Sequence, residues 1–247
     1  MKIYRMKQPD IAVWFILLFV AGFVAGSRMY PAVTEIRYVP ADLSNLDNGT
    51  TVETGIPAVD SSGRGVAGRL LTTVRPGNGL VLVSINDVLA QFDTQLSGRI
   101  AAKAAERYTN ISMDNFDVIY SIKVNASLIE GPSAGSTMAV SIVAALLNKT
   151  LDGTVMMTGT IGEDGIIGAV GSIMEKAKAA KENGAARFLV PESQGFESGV
   201  ERAKECSIAD SIEYCKVDYV QKKKSLDVGI EIIEVSTLGD ALKHFLK

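Results

Sequence analysis

The sequence predicts an α+β (mixed α/β) domain preceded by one N-terminal transmembrane helix, and three observations carry that expectation. Residues 11–26, IAVWFILLFVAGFVAG, run through sixteen positions without a charge or a hydroxyl, behind a head containing Lys2, Arg5 and Lys7. Downstream, short β-branched runs alternate with Ala-rich segments of helical period, the mixture expected of a layered α and β domain. GEDG at Gly162–Gly165 then separates two apolar runs at hairpin spacing.

A bilayer core needs roughly 20 apolar residues, or about 17 where the flanks snorkel. Arg28 is placed to snorkel, and Tyr4, Trp14 and Tyr30 to sit near headgroups. Residues 11–29 therefore read as a transmembrane anchor or signal-anchor, a contact with membrane lipid, with residues 1–10 cytoplasmic by the positive-inside rule. A cleaved signal peptide is the alternative, since Val24 and Gly26 are small enough for a cleavage site. Residues 30–53 are polar, acidic and aperiodic, which suits an extracytoplasmic stalk. Residues 54–247 are long enough for one domain with its own core.

Within that domain, GLVLVSI (Gly79–Ile85) is a strand entered from the turn PGNG, and SGRIAAKAAERY (Ser97–Tyr108) an amphipathic helix. FDVIYSIKV (Phe116–Val124) alternates as a strand, Ser133–Leu147 is an apolar helix, and TVMMTGTI (Thr154–Ile161) is a strand turning through GEDG into IIGAV. Ser172–Asn183 is a helix closed by Gly184, with Ser172 and Glu175 spaced as a capping box. RFLVP is a strand, a further helical stretch follows, and GIEIIEV (Gly229–Val235) leads into a short C-terminal helix.

Composition narrows the chemistry. With 28 acidic and 25 basic residues the net charge is -3, so nucleic acid is not an expected partner. One histidine, His244, and two cysteines, Cys206 and Cys215, exclude a four-ligand zinc site, and a Ser-His-Asp triad would have to recruit a near-terminal histidine. No metal and no cofactor is expected, and a hydrolase built on this chain needs a base other than histidine. The cysteines, nine apart, are spaced to close a short loop in an oxidising compartment, and two free thiols are the alternative. Four of the nine asparagines (Asn48, Asn110, Asn125, Asn148) stand in N-x-[ST], which also agrees with export. GRGVAG at Gly63–Gly68 fits a nucleotide-type glycine pattern but lacks the strand before and helix after, so it reads as a flexible loop; the KKK run at Lys222–Lys224 reads as a solvated loop.

Two segments carry reactive groups. In EGPSAGS (Glu130–Ser136), a Gly-Pro turn delivers Ser133 to a helix start, where unpaired backbone N–H groups suit a developing oxyanion. The plain alternative is that Ser133 is a helix N-cap. In GSIMEKAKAAKENG (Gly171–Gly184), 100° steps put Ile173, Lys176, Ala177 and Ala180 on one face, with Glu175, Lys178 and Glu182 opposite. An inward Lys176 loses pKa by desolvation and by the helix dipole, and a neutral lysine takes a proton from a serine. The alternative is a lysine whose stem packs while its ammonium reaches water.

EGPSAGSTMAV, VMMTGTI and IGAVGSIMEKAKAAKENGAARFLVP, in that order and spacing, resemble the proteolytic domain of the Lon proteases, most closely from Phe116 to Pro191. The resemblance implies the Lon proteolytic-domain fold, in a membrane-anchored form of archaeal type without the ATPase module. It also implies Ser133 as nucleophile, Lys176 as general base, Thr158 as a residue positioning the lysine, and an oxyanion hole from the backbone of Ser133 and Ala134. Glu130 stands where bacterial members place Asp, and Gly171-Ser172 where the family commonly has Gly-Gly. No G-x-x-x-x-G-K-[ST] occurs, so no nucleotide is expected. The resulting expectation is an ATP-independent serine endopeptidase acting on unfolded or exposed protein segments at the outer face of the membrane. The family also implies a homo-oligomeric ring such as a hexamer. Two rivals stand beside it: a catalytically silent binding or assembly module, and a signal-peptidase-like Ser-Lys enzyme, whose only serine candidate, Ser112-Met113, lacks the neighbouring proline.

Overall fold

The computed structural model describes residues 49–84, 89–90, 92–124, 128–129, 131–209 and 212–247. The expected anchor, the cytoplasmic segment and residues 30–48 of the stalk lie outside them, as does Glu130. Among the described residues no helix is long and apolar enough to cross a membrane.

In chain order the first elements are β1 (Thr50–Val59), β2 (Gly65–Pro76), β3 (Val81–Ser84), β4 (Leu89–Ala90), α1 (Phe92–Thr109), β5 (Phe116–Val124), β6 (Leu128–Ile129) and α2 (Gly135–Leu146). Then come β7 (Val155–Met157), β8 (Thr160–Ile161), β9 (Ile167–Gly168), α3 (Ile173–Glu182) and β10 (Arg187–Pro191). The chain closes with β11 (Phe196–Ala209), β12 (Ile212–Ser225), β13 (Glu231–Val235) and α4 (Leu238–Phe245).

The first four-stranded sheet has the order β1-β2-β5-β3, antiparallel except for β3 on β5. Its alternation is legible in the side chains: Leu70, Val74, Val118, Tyr120 and Ile122 are buried on one face, against α1 and α2. β1 opens at Thr50, so the domain takes in residues 50–53 that the sequence assigns to the stalk. The PGNG turn is held by the buried Asp117, whose carboxylate accepts the backbone N–H groups of Asn78 at 2.9 Å and Leu80 at 3.1 Å. Those bonds hold its carboxyl below the usual carboxylate range.

Every residue of α2 is buried, the hydroxyl residues Ser136, Thr137 and Ser141 among its apolar ones. It ends in a Schellman turn with Asn148 left-handed at φ 49°, where Lys149 N–H reaches Ala144 O and Asn148 N–H reaches Ala145 O. Asn110 is left-handed just after α1. Two of the four N-x-[ST] asparagines thus have a local backbone reason to be asparagine.

The second sheet, β13-β10-β7, is parallel throughout and lies between two helices. Val155, Met157 and Leu189 belong to the cluster around α2, whereas Met156, Phe188 and Val190 pack against Ala177 and Ala180 of α3. β8 and β9 form the hairpin that GEDG predicts, and β4 pairs with β6 in parallel.

Four local expectations are corrected. The strand over Thr154–Ile161 is broken at Thr158-Gly159: Thr158 N–H still bonds to Leu189 O of β10, but Gly159 turns both its backbone groups to the serine segment, its N–H to Ser133 O and its carbonyl to Ser136 N–H. GRGVAG is not a flexible loop: Gly63 lies in the β1–β2 turn, and Gly65 to Gly68 form the start of β2. The helical stretch after RFLVP is a long antiparallel hairpin, β11 with β12, and Lys222–Lys224 lie within β12. Its register puts Cys206 directly opposite Cys215, and the two form a disulfide. In a helix, nine residues would set their Cα atoms roughly 13 Å apart, beyond the reach of a disulfide. The fourth correction concerns Ser172 and belongs to the site.

Candidate active site

Ser133 lies in the turn ahead of α2, not at its cap. Gly131 takes φ 86°, a conformation that favours glycine, and Gly135 N–H closes on Pro132 O at 3.1 Å. The residue in the N-cap position is Ala134, which has no side chain to cap with. The capping explanation for Ser133 therefore fails, and its hydroxyl has no hydrogen-bond partner among the described residues. No acceptor among those residues takes the backbone N–H of Ser133 or Ala134 either. Free N–H groups at the positive end of a helix are donors for an anionic oxygen.

The turn is fastened to the end of β7. Ser133 O accepts Gly159 N–H at 2.9 Å, Ser136 N–H donates to Gly159 O at 3.1 Å, and Thr158 N–H donates to Leu189 O of β10 at 3.1 Å. The Thr158 hydroxyl, 1% exposed, donates to Ser133 O at 3.4 Å. Thr158 thus bonds to the serine turn, and among the described residues it makes no bond to the lysine it was expected to position.

Lys176 is 6% exposed, on the face of α3 that periodicity assigns to the interior, beside the buried Ala177, Ala179 and Ala180. Lys178 and Lys181 are exposed. Lys176 has no carboxylate partner among the described residues, and burial alone pushes its pKa down to about 8. No hydrogen bond joins the Ser133 hydroxyl to the Lys176 amine in this structure. Unliganded catalytic pairs are commonly loose and tighten around substrate.

The start of α3 departs from the capping box. Ser172 occupies the N-cap position with φ 58° and ψ 42°, the left-handed region, and its side chain makes no capping bond. The box fails because an N-cap hydroxyl reaches the N–H groups ahead only from extended backbone. Glycine adopts the left-handed backbone of Ser172 without steric cost, which agrees with the Gly-Gly that the resemblance implies at this place. Among the described residues, no group of three His, Cys, Asp or Glu is placed to hold a metal ion.

The sequence reading missed two contacts that support α3. Gly65 of β2 lies against the Glu175 carbonyl, and Gln194 bonds to Val170. Gly65 carried a signal, as part of a glycine pattern that no nucleotide site explains. Gln194 carried none, because its partner is backbone.

The site thus joins an α+β domain to a serine turn at one end of a parallel sheet and a buried lysine, without a carboxylate partner among the described residues, on a helix packed against that sheet. Residues 72–227, more than half of the chain, match the model of the Lon protease (S16) C-terminal proteolytic domain, and the chain belongs to that family. Among its relatives, a Lon protease of Rhizobium meliloti is 30% identical over 224 residues, 88% of this chain and 24% of that protein. The archaeal Lon protease of Methanothermobacter thermautotrophicus is 28% identical over 156 residues, covering 60% of this chain and 21% of its own. A Lon protease of Lachnoclostridium phytofermentans is 28% identical over 69% of this chain and 19% of its own. The chain therefore spans about a fifth to a quarter of the length of these relatives.

Proposed function

We propose that this chain is an ATP-independent serine endopeptidase that uses Ser133 and Lys176 to hydrolyse peptide bonds in unfolded or exposed protein segments. The observation that carries the proposal is Lys176: a lysine with no carboxylate partner among the described residues, held at about 8 by burial, on the helix that covers the β7 sheet to which the serine turn is fastened. A lysine at that pKa is neutral in an appreciable fraction near pH 7.5, which a surface lysine is not.

In the proposed reaction Lys176 Nζ takes the proton of the Ser133 hydroxyl as Oγ attacks the peptide carbonyl carbon. The tetrahedral oxyanion lies against the N–H groups of Ser133 and Ala134. Collapse breaks the C–N bond, the leaving amine takes the proton from Lys176, and an ester remains on Ser133. The neutral lysine then takes a proton from water as its oxygen attacks the ester carbonyl, the C–O bond to Ser133 breaks, and the departing Ser133 oxygen takes that proton back from Lys176. Thr158 holds the carbonyl of Ser133 and, with it, the turn. The same proposal puts the domain on the outer face of a membrane, anchored through residues 11–29.

The test is cleavage of unstructured peptides by the full chain in detergent micelles and by its Ser133→Ala and Lys176→Ala variants. Loss of at least about 1,000-fold in both is expected for the two members of a dyad. Cleavage that survives both substitutions would refute the reading. A tightly folded reporter cleaved as fast as an unfolded one would refute the assigned substrate class.

A further inference from the structure

Between the end of β9 at Gly168 and the start of α3 at Ile173, the chain crosses four residues, 169–172. Among the described residues, the hydrogen bonds that tie residues 169–171 to the rest of the domain come from one side chain. Gln194 Oε1 accepts the Val170 N–H at 3.0 Å, and Gln194 Nε2 donates to Val170 O at 2.8 Å. Only one orientation of the amide makes both bonds, and it satisfies both polar groups of Val170 as a strand neighbour would. No other residue among those described accepts from or donates to the backbone of 169–171.

Gln194 is itself held firmly. It lies in the turn after β10, with its N–H on Pro191 O at 3.1 Å. Gly195 N–H donates to Glu234 Oε1 of β13 at 2.7 Å, the Ser236 hydroxyl donates to Glu192 Oε2 at 2.8 Å, and Leu226 N–H donates to Gly195 O at 3.1 Å. This turn leaves the same strand whose Leu189 carbonyl receives Thr158 N–H. β10 and the turn after it therefore connect, through Leu189 within the strand and Gln194 beyond it, both to the loop that fastens the serine turn and to the lead-in of the lysine helix.

We propose that Gln194 is a positioning residue for Lys176, an inference that rests on the dyad reading above. By fixing Val170 it fixes the angle at which α3 departs through the left-handed Ser172, and so the depth to which the lysine is buried. Without the clamp, 169–172 loses its tie to the sheet, the first turn of α3 moves outward, and Lys176 regains water. A rehydrated lysine returns toward its ordinary pKa and is protonated at neutral pH.

The experiment uses the full chain with Gln194→Met, which keeps side-chain length but removes both bonds, and Gln194→Asn, which keeps the amide on a stem one methylene shorter. Ser236→Ala, which removes a different bond of the same turn, is the control. Two readouts are taken: the pH profile of kcat/KM on an unstructured peptide, and the pH dependence of Lys176 acetylation by competitive labelling, which needs no activity. For Gln194→Met the midpoint of both should rise by about one unit or more, with kcat at pH 7.5 falling roughly 10-fold and KM changing less than about twofold. Gln194→Asn should fall between it and the wild type, and Ser236→Ala should leave the midpoint in place. A folded Gln194→Met protein with an unshifted Lys176 midpoint overturns the inference. Should Gln194→Met not fold, an unshifted midpoint in Gln194→Asn overturns it equally. A fully active Lys176→Ala variant instead sinks the dyad reading, and the labelling result then still shows whether Gln194 sets the burial of the lysine.

Discussion

The Glu175 carbonyl oxygen lies directly against Cα of Gly65, so close that a Cβ at residue 65 would overlap it. The lysine helix thus rests backbone to backbone on the first residue of β2, one residue from Lys176. A side chain at residue 65 has to push against a hydrogen-bonded helix backbone, which yields far less readily than the end of a flexible side chain.

Gly65→Ala is therefore expected to destabilise the protein by on the order of 2 kcal/mol, with Tm falling by roughly 4–8 °C, and to lower kcat/KM by shifting Lys176. Thermal melts and peptide cleavage check this. An alanine variant with unchanged Tm would mean that α3 is free to slide, contrary to the packing described.

Ser172→Gly should stabilise by about 1 kcal/mol, since the left-handed conformation costs roughly 1–2 kcal/mol for a residue with a Cβ and glycine's extra unfolded entropy offsets part of the gain. Urea unfolding of the two proteins decides the matter. A capping box at the same residue predicts the opposite sign, a loss of stability on removing the hydroxyl.

The pH dependence of activity follows from Lys176 being the base. kcat/KM should climb with a midpoint near 8 and then level off, because the neutral amine is the working form. A rate that collapses above neutral pH in a protein still folded contradicts the mechanism.

Stability carries the same titration with a definite sign. Lys176 titrates at 10.5 in the unfolded chain and at about 8 in the folded one. Between those values the unfolded state holds a proton that the folded state lacks, so stability rises with pH across this window, and the full penalty applies below it. Lys176→Met should accordingly stabilise at pH 7 by on the order of 3 kcal/mol, the gain shrinking as pH rises from 8 to 10.5. Equal stabilisation at pH 7 and pH 10.5 would show that the lysine is not desolvated.

Reduction of Cys206–Cys215 should loosen the β11–β12 ribbon before the rest of the domain. Two-stranded ribbons are marginal in water, and a cross-link closing so short a loop adds at most roughly 3 kcal/mol. Limited proteolysis after reduction, or of Cys206→Ser, should cut first within residues 196–225 while the remaining domain stays intact. Identical cleavage patterns with and without reductant would show that the disulfide does not hold the ribbon.

The sequence alone determined what depends on neighbours along the chain. Strand alternation in FDVIYSIKV, the mostly apolar α2, the hairpin at GEDG and the inward face of α3 are patterns of neighbouring residues, and burial follows from them because each side chain's direction is set by its own element. The same logic picked Lys176 over Lys178, which lies on the opposite face, and left Lys181 intermediate. Contacts between distant segments were decided by tertiary structure alone. Cys206 meets Cys215 only once a strand pairing exists, Ser172 is left-handed where the chain enters α3 two residues after the Val170 that Gln194 holds, and the Ser133 carbonyl is held by Gly159 and Thr158 in a turn ahead of the helix cap. Each of these depends on at least one backbone N–H or C=O as a partner, and a backbone N–H or C=O is the same chemical group at nearly every residue. No residue type in the sequence announces such a bond, and only the fold decides which of these groups meet.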